Sequence, residues 1–130
     1  MASIFSRVIQ GEIPSYKILE DDYCMAFLDV FPLVEGHTLV VPKIEVDNLF
    51  DLDEETYSRL FAFAKQTETL LRKAIPCKRI GIAVIGLEVP HAHIHLVPLN
   101  HVNDINFTQP KLSLSREQLL AVQAQILNKA

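Results

Sequence analysis

Tryptophan is absent from the chain, glycine occurs only four times, and the two cysteines, Cys24 and Cys77, stand far apart with no C-x-x-C pair. This cysteine usage excludes a disulfide framework and a zinc knuckle, and it points to a reducing compartment, the cytoplasm. No window approaches the roughly 18 apolar residues that a membrane span needs, and residues 1–7 lack the apolar run of a signal peptide. Positive charge is also scarce: 12 Lys and Arg against 16 Asp and Glu leave a formal charge of −4. The basic residues are dispersed, which excludes the electrostatic footprint of a duplex-binding protein but leaves room for a single nucleotide held by local donors. Biased tracts and repeats are missing too. With 49% hydrophobic and 22% charged residues the composition is that of an ordinary folded protein. One domain over residues 1–130 accounts for the chain, and at this size it buries roughly two-thirds of its unfolded surface.

What the chain does have is histidine in one place. Three of the five histidines fall at alternate positions, His91, His93 and His95. In a strand, residues i, i+2 and i+4 share a face, so the spacing predicts three imidazoles on one side with Ala92, Ile94 and Leu96 turned into a core. A helix would scatter them, at roughly 100° per residue. Pro90 precedes the run at a position where proline is tolerated, and Pro98 is expected to stop it. With an ordinary pKa of about 6.5, imidazole serves as nucleophile, base or acid near neutrality, so such a row suits either chemistry or a metal.

Ser3 reads as an N-cap, Ile4, Phe5, Val8 and Ile9 have helical spacing, and Gly11 stands where a C-terminal glycine would, which predicts a short helix over 3–10. Residues 16–20 and 23–29 read as strands joined by a turn at Asp21-Asp22, the second of them half-buried. After a loop ending at His37, residues 38–42 form a third strand rich in β-branched side chains. Asp53 opens a long helix, with Glu54 and Glu55 in its first turn, Tyr57, Leu60, Phe61, Ala64, Leu70 and Leu71 as its apolar stripe, and Pro76 just beyond its end. Residues 79–84 are a fourth strand, 85–90 a loop, the histidine run a fifth strand, and 99–111 a polar irregular segment. Ser115 and Gln118 form a capping box that opens a last helix at about 115–128, whose apolar stripe packs on this sheet or on a partner chain. Strands before and after one long helix, without βαβ alternation, predict an α+β domain with a mostly antiparallel sheet covered by helices.

The run from His91 to Val97 resembles the histidine-triad motif, His-φ-His-φ-His-φ-φ with φ apolar, of the HIT superfamily of nucleotide hydrolases and transferases. The likeness extends over nearly the whole chain: Ile4-Phe5 and Glu12-Ile13-Pro14 look like the family's opening segment, Glu20 to Asp29 like its first hairpin, and Gly36 to Lys43 like its second signature. The resemblance implies a compact HIT fold with a five-stranded sheet, usually a homodimer whose two sheets join. It implies a purine nucleotide or nucleoside phosphoramidate as the molecule bound, with cleavage at the α-phosphate and no cofactor. His93 matches the nucleophile that forms a nucleotidyl-histidine intermediate. His91 and His95 match flanking members that orient it and contact the phosphate or leaving group, and His37 matches a fourth histidine that supports their protonation. Asp29 matches the acidic residue that binds the ribose hydroxyls. Ile4, Phe5, Val8, Phe27, Val30 and Leu39 match the apolar positions around the base.

Two departures stand out. Many relatives carry zinc ligands where this chain has Ser3, Ser6 and Glu45, so the resemblance implies that the structural zinc is missing; three histidines along one strand are also too far apart for all to reach one zinc. The second departure is Gly86-Leu87-Glu88-Val89-Pro90, where relatives commonly place a glutamine and a hydroxyl that contact phosphate. Leu87 cannot donate a hydrogen bond, and Glu88 brings negative charge to the phosphate region, which favours a cationic or amine leaving group. The expected function is a HIT-type nucleotide hydrolase or nucleotidyl transferase, possible phosphoramidase activity included. The competing expectation is a nucleotide-binding module with little turnover.

Overall fold

The computed structural model describes residues 2–130, so Met1, the first of the residues 1–7 read above, lies outside the described residues. The first helix, α1 (Ile4–Ile9), starts where the Ser3 side chain accepts a hydrogen bond from the Ser6 amide. Just past its end Gly11 takes a φ of +81°, a conformation that an L side chain resists. Strands β1 (Lys17–Glu20) and β2 (Cys24–Leu28) form the expected hairpin, closed by the Asp21 carboxylate, which accepts from the amides of Tyr23 and Cys24 at 2.8 Å each. Strand β3 (Thr38–Pro42) has the expected bounds.

A short 3-10 turn (Leu49–Asp51) leads to helix α2 (Glu54–Ala74), which Asp53 caps as expected. Its inner face differs slightly from the expected stripe. Leu60, Phe63, Ala64, Thr67, Leu71 and Ala74 are buried, while Tyr57, Phe61 and Leu70 are only partly covered, so the seam lies about one residue round the helix. Strand β4 (Arg79–Ala83) and strand β5 (Ile94–Leu99) complete the sheet, and α3 (Arg116–Leu127) closes the chain with both halves of the Ser115–Gln118 capping box formed.

The sheet runs β1-β2-β3-β5-β4 with every neighbouring pair antiparallel. One face packs Ala26, Leu28, Val40, Ile94 and Leu96 against α2 and α3. The other packs Met25, Phe27, Leu39 and Val41 against Phe5 and Val8 of α1. Helices on both faces explain why β2 is buried at all five positions instead of the half-buried strand its alternation suggests. Helix α3 packs on its own sheet and on α2: Leu119, Val122 and Ile126 are buried, Gln123 donates to the Lys17 carbonyl, and Gln125 donates to the Ala74 carbonyl.

The histidine strand departs most from expectation. It starts at Ile94, so His91 and His93 precede it outside the sheet ladder, with the Ala92 amide between them donating to the Val46 carbonyl at 2.7 Å, and it continues through Pro98. Proline is accommodated because the Leu99 carbonyl accepts from the Lys78 amide on the β4 side. Alternation then turns the nitrogen of Pro98 toward β3, whose pairing with β5 has already ended at Thr38↔Leu96.

Candidate active site

Two of the three triad histidines face a common cavity and the third stands behind them. His91 is fully buried and both its ring nitrogens are taken: Nε2 lies 2.8 Å from the Pro42 carbonyl and Nδ1 lies 2.8 Å from Ser3 Oγ. The carbonyl can only accept, so Nε2 carries the hydrogen and Nδ1 accepts from the Ser3 hydroxyl. Ser3 and Ser6 are in turn held by Glu45, whose carboxylate accepts from the Ser3 amide and the Ser6 hydroxyl at 2.6 Å each. Those hydrogen bonds hold its pKa down at about 2. The positions where relatives carry zinc ligands thus meet around His91 as two hydroxyls and a carboxylate already bonded to one another, a set without thiolate that does not suit zinc. His91 is not among the residues that line the cavity; its ring fills the space between α1 and the end of β3, next to Phe5.

His93 follows in the chain, and its Nδ1 lies 2.7 Å from the His91 carbonyl. This bond places the hydrogen on Nδ1 and leaves Nε2 with a free lone pair. Phe5 packs edge-on against the ring at 5.0 Å. Burial, chiefly, lowers the His93 pKa, with the backbone bond to His91 opposing it, so at neutral pH the imidazole is uncharged. An uncharged imidazole with a free, oriented nitrogen is a competent nucleophile.

His95 sits in the middle of the sheet, opposite Leu39 of β3 and Ala83 of β4. Its ring centroid is 4.9 Å from that of His93, and its Nδ1 lies 2.9 Å from His37 Nε2. His37 Nδ1 accepts from the Leu33 amide at 3.0 Å, so His37 Nε2 must carry the hydrogen and donate it to His95. His95 is thereby left as an Nε2–H donor. The loop that aims His37 turns at Gly36, with φ +93°, where a Cβ would press on Ile75 and Pro98 at 3.1 and 3.2 Å. Burial first, and the Lys111 ammonium after it, push His37 down to about 4; burial, then the adjoining His37 and His93 rings and Lys111, push His95 to about 3.

Asp29, at the end of β2, uses one oxygen to accept from the Phe31 amide at 2.9 Å and places the other 3.6 Å from His37 Nε2. Burial raises its pKa. Asp29, His37 and His95 lie close enough together to suggest a metal, their ligand atoms all within 4.8 Å of one another. His37 argues against it: with Nδ1 already accepting from Leu33, a metal on Nε2 would require an imidazolate.

The cavity measures about 480 Å³, within the ordinary range for small-molecule sites. Ile4, Phe5, Val8, Phe27, Asp29, Val30, Leu39 and Glu88 all line it, together with His93 and His95. Sequence reasoning missed Phe107, Thr108 and Lys111, which line it from the segment assigned no role. Phe107 stands edge-on to His95 at 4.7 Å and to His37 at 6.0 Å. A lone aromatic in a polar stretch, with a lysine four positions later, was the available signal. His101 lies at the surface away from the cavity.

A five-stranded antiparallel sheet with helices on both faces, carrying a buried row of histidines at the wall of an apolar slot, defines an α+β domain of the histidine-triad kind. Comparison with known proteins agrees: the family model for the HIT domain matches residues 10–102, and the chain belongs to the HIT family. An uncharacterized HIT-like protein of Borreliella burgdorferi is 34% identical over 95% of this chain and 94% of its own length. The adenosine 5'-monophosphoramidase HNT1 of Saccharomyces cerevisiae is 36% identical over 75% of this chain and 62% of its own. Among solved structures, a Hit-like protein from Bartonella henselae, described as involved in cell-cycle regulation, superposes with a TM-score of 0.85 at 28% identity, covering 98% of this chain and 96% of that one.

Proposed function

We propose that the protein is a nucleotide hydrolase or nucleotidyl transferase that cleaves at the α-phosphate of a nucleoside phosphoramidate or related nucleotide through a nucleotidyl-His93 intermediate. The observation that carries this reading is the free Nε2 of an uncharged His93 at the cavity wall, its tautomer set by the His91 carbonyl. The likeness to a yeast adenosine 5'-monophosphoramidase supports the substrate class.

In the first step the His93 Nε2 lone pair forms a bond to phosphorus while the bond from phosphorus to the leaving amine breaks. The amine departs with the electron pair and takes up a proton. Water then attacks phosphorus, the bond to His93 breaks, and the nucleoside monophosphate is released with a proton passing to solvent. His95, as an Nε2–H donor, faces the phosphoryl oxygens or the leaving group, and a bound anionic phosphate favours its protonated form. His37 holds His95 in that tautomer. The slot lined by Ile4, Phe5, Val8, Phe27, Val30 and Leu39 takes the base, and Asp29 takes the ribose hydroxyls, two O–H donors to one carboxylate. Glu88 on the rim favours an amine leaving group over an anionic one. The homodimer forms through β4, the sheet edge that exposes Ile82 near its end and leads into exposed Val84, Ile85 and Leu87. Cys24 and Cys77 are both free thiols, in keeping with a cytoplasmic setting. Among the described residues no helix is long and apolar enough to cross a membrane.

The test is intact-protein mass spectrometry with product analysis after incubation with an adenosine phosphoramidate. Monophosphate released by the wild type and not by His93→Ala, or an adduct of nucleotidyl mass that depends on His93, is the expected result. Binding of the monophosphate by both proteins without turnover by either would replace this reading with that of a nucleotide-binding module. The loop at residues 86–89 keeps that second reading alive, since it lines the cavity without a side chain that donates to phosphate.

A further inference from the structure

The segment between β5 and α3 lies almost wholly beyond the stretch matched by the HIT domain, yet it closes one end of the cavity. Lys111 Nζ donates to the Phe107 carbonyl at 2.8 Å and stands 5.6 Å from the centroid of that ring, which itself packs on His95. The next amide, that of Leu112, donates at 2.8 Å to the Pro32 carbonyl, in the loop that carries Asp29. These two bonds hold the ammonium group at the His95 end of the cavity.

The charges around it are unbalanced. Among the described residues the lining includes two carboxylates, Asp29 and Glu88, and Lys111 as its only lysine or arginine. His93 and His95 are uncharged at neutral pH, and among the described residues no carboxylate lies within ion-pair distance of Lys111 Nζ. Its field nevertheless reaches the site, lowering the proton affinity of Asp29, His37 and His95. A phosphate arriving beside His93 would meet two negative groups and one available cation.

We propose that Lys111 binds the anionic oxygens of the substrate's phosphate, so that charge recognition is supplied by the segment after the HIT core and not by the loop before the triad. This inference rests on the nucleotide reading given above and adds to it the residue that distinguishes a nucleotide from a nucleoside. An ammonium contact to an anion of this kind is worth about tenfold in affinity at a solvent-open position.

Calorimetry with adenosine and with AMP, on the wild type, Lys111→Gln and Lys111→Arg, tests it. Expected is a loss of about tenfold in AMP affinity for Lys111→Gln, adenosine affinity unchanged, AMP binding retained by Lys111→Arg, and a salt dependence of AMP binding that the Gln variant lacks. Equal weakening of AMP and adenosine would overturn the proposal, because it would mean that the segment only shapes the cavity. AMP affinity unchanged in Lys111→Gln would overturn it as well. If the wild type binds neither molecule, the nucleotide reading itself fails and takes this inference with it.

Discussion

Tautomers carry the chemistry of this site at the scale of single residues. Three fixed acceptors or donors outside the rings, the Pro42 carbonyl, the His91 carbonyl and the Leu33 amide, determine which nitrogen of His91, His93 and His37 holds a hydrogen. His93→Ala is therefore expected to lower turnover by at least ~10³-fold while leaving nucleotide binding nearly intact, which a comparison of single-turnover rates and calorimetric affinities would show. The pH dependence follows from burial. His37 and His95 titrate near 4 and 3 in the folded protein, against 6.5 when unperturbed, so between those values the unfolded chain binds more protons than the folded one. Stability should be full above about pH 6.5 and fall as the pH drops toward 4. Denaturant titrations across that range should show a His37→Asn variant with a flatter profile. With the His93 pKa also lowered, the acid limb of kcat/KM should lie below 6.5.

Elements place those residues, and much of their placement was legible in the chain. The caps at Ser3, Asp53 and Ser115, the Asp21 turn and the bounds of β3 follow from local chemistry, and each formed where its residues predict. What local chemistry could not reveal was which neighbours an element would have. β2 is buried on both faces because α1 covers it, and Pro98 stays in β5 because the pairing with β3 stops at Thr38, the first residue of β3, facts set by residues distant in sequence. The same holds for the site. Its eight expected binding residues lie on strands, α1 and their loops, whose pattern is readable, and all line the cavity. Phe107 and Lys111 went unseen because an irregular segment has no periodicity from which to infer its path. Helix α3 is the element whose weight is easiest to measure. Ile126 is fully buried against the main core, so Ile126→Ala should cost about 2–5 kcal/mol in equilibrium unfolding, a loss too large for a dispensable tail.

For the whole molecule the two sheet edges are unequal. β1 carries a register shift and is bonded by Gln123 from α3, whereas β4 is open and exposes Ile82, 52% accessible. The dimer proposed through β4 predicts that Ile82→Lys runs as a monomer in sedimentation velocity where the wild type runs as a dimer, with little change in the fold. The knot of Ser3, Ser6, Glu45 and His91 also bears on how the molecule reaches its working state. Ser3 and His91 are 88 positions apart in the chain, and the site is not set until they meet. Contacts of such long range close slowly, since the intervening chain must first be ordered. The helices and the β1–β2 hairpin can form from neighbours alone, so a refolding chain should recover its secondary structure before its activity, with catalysis appearing in the slowest phase.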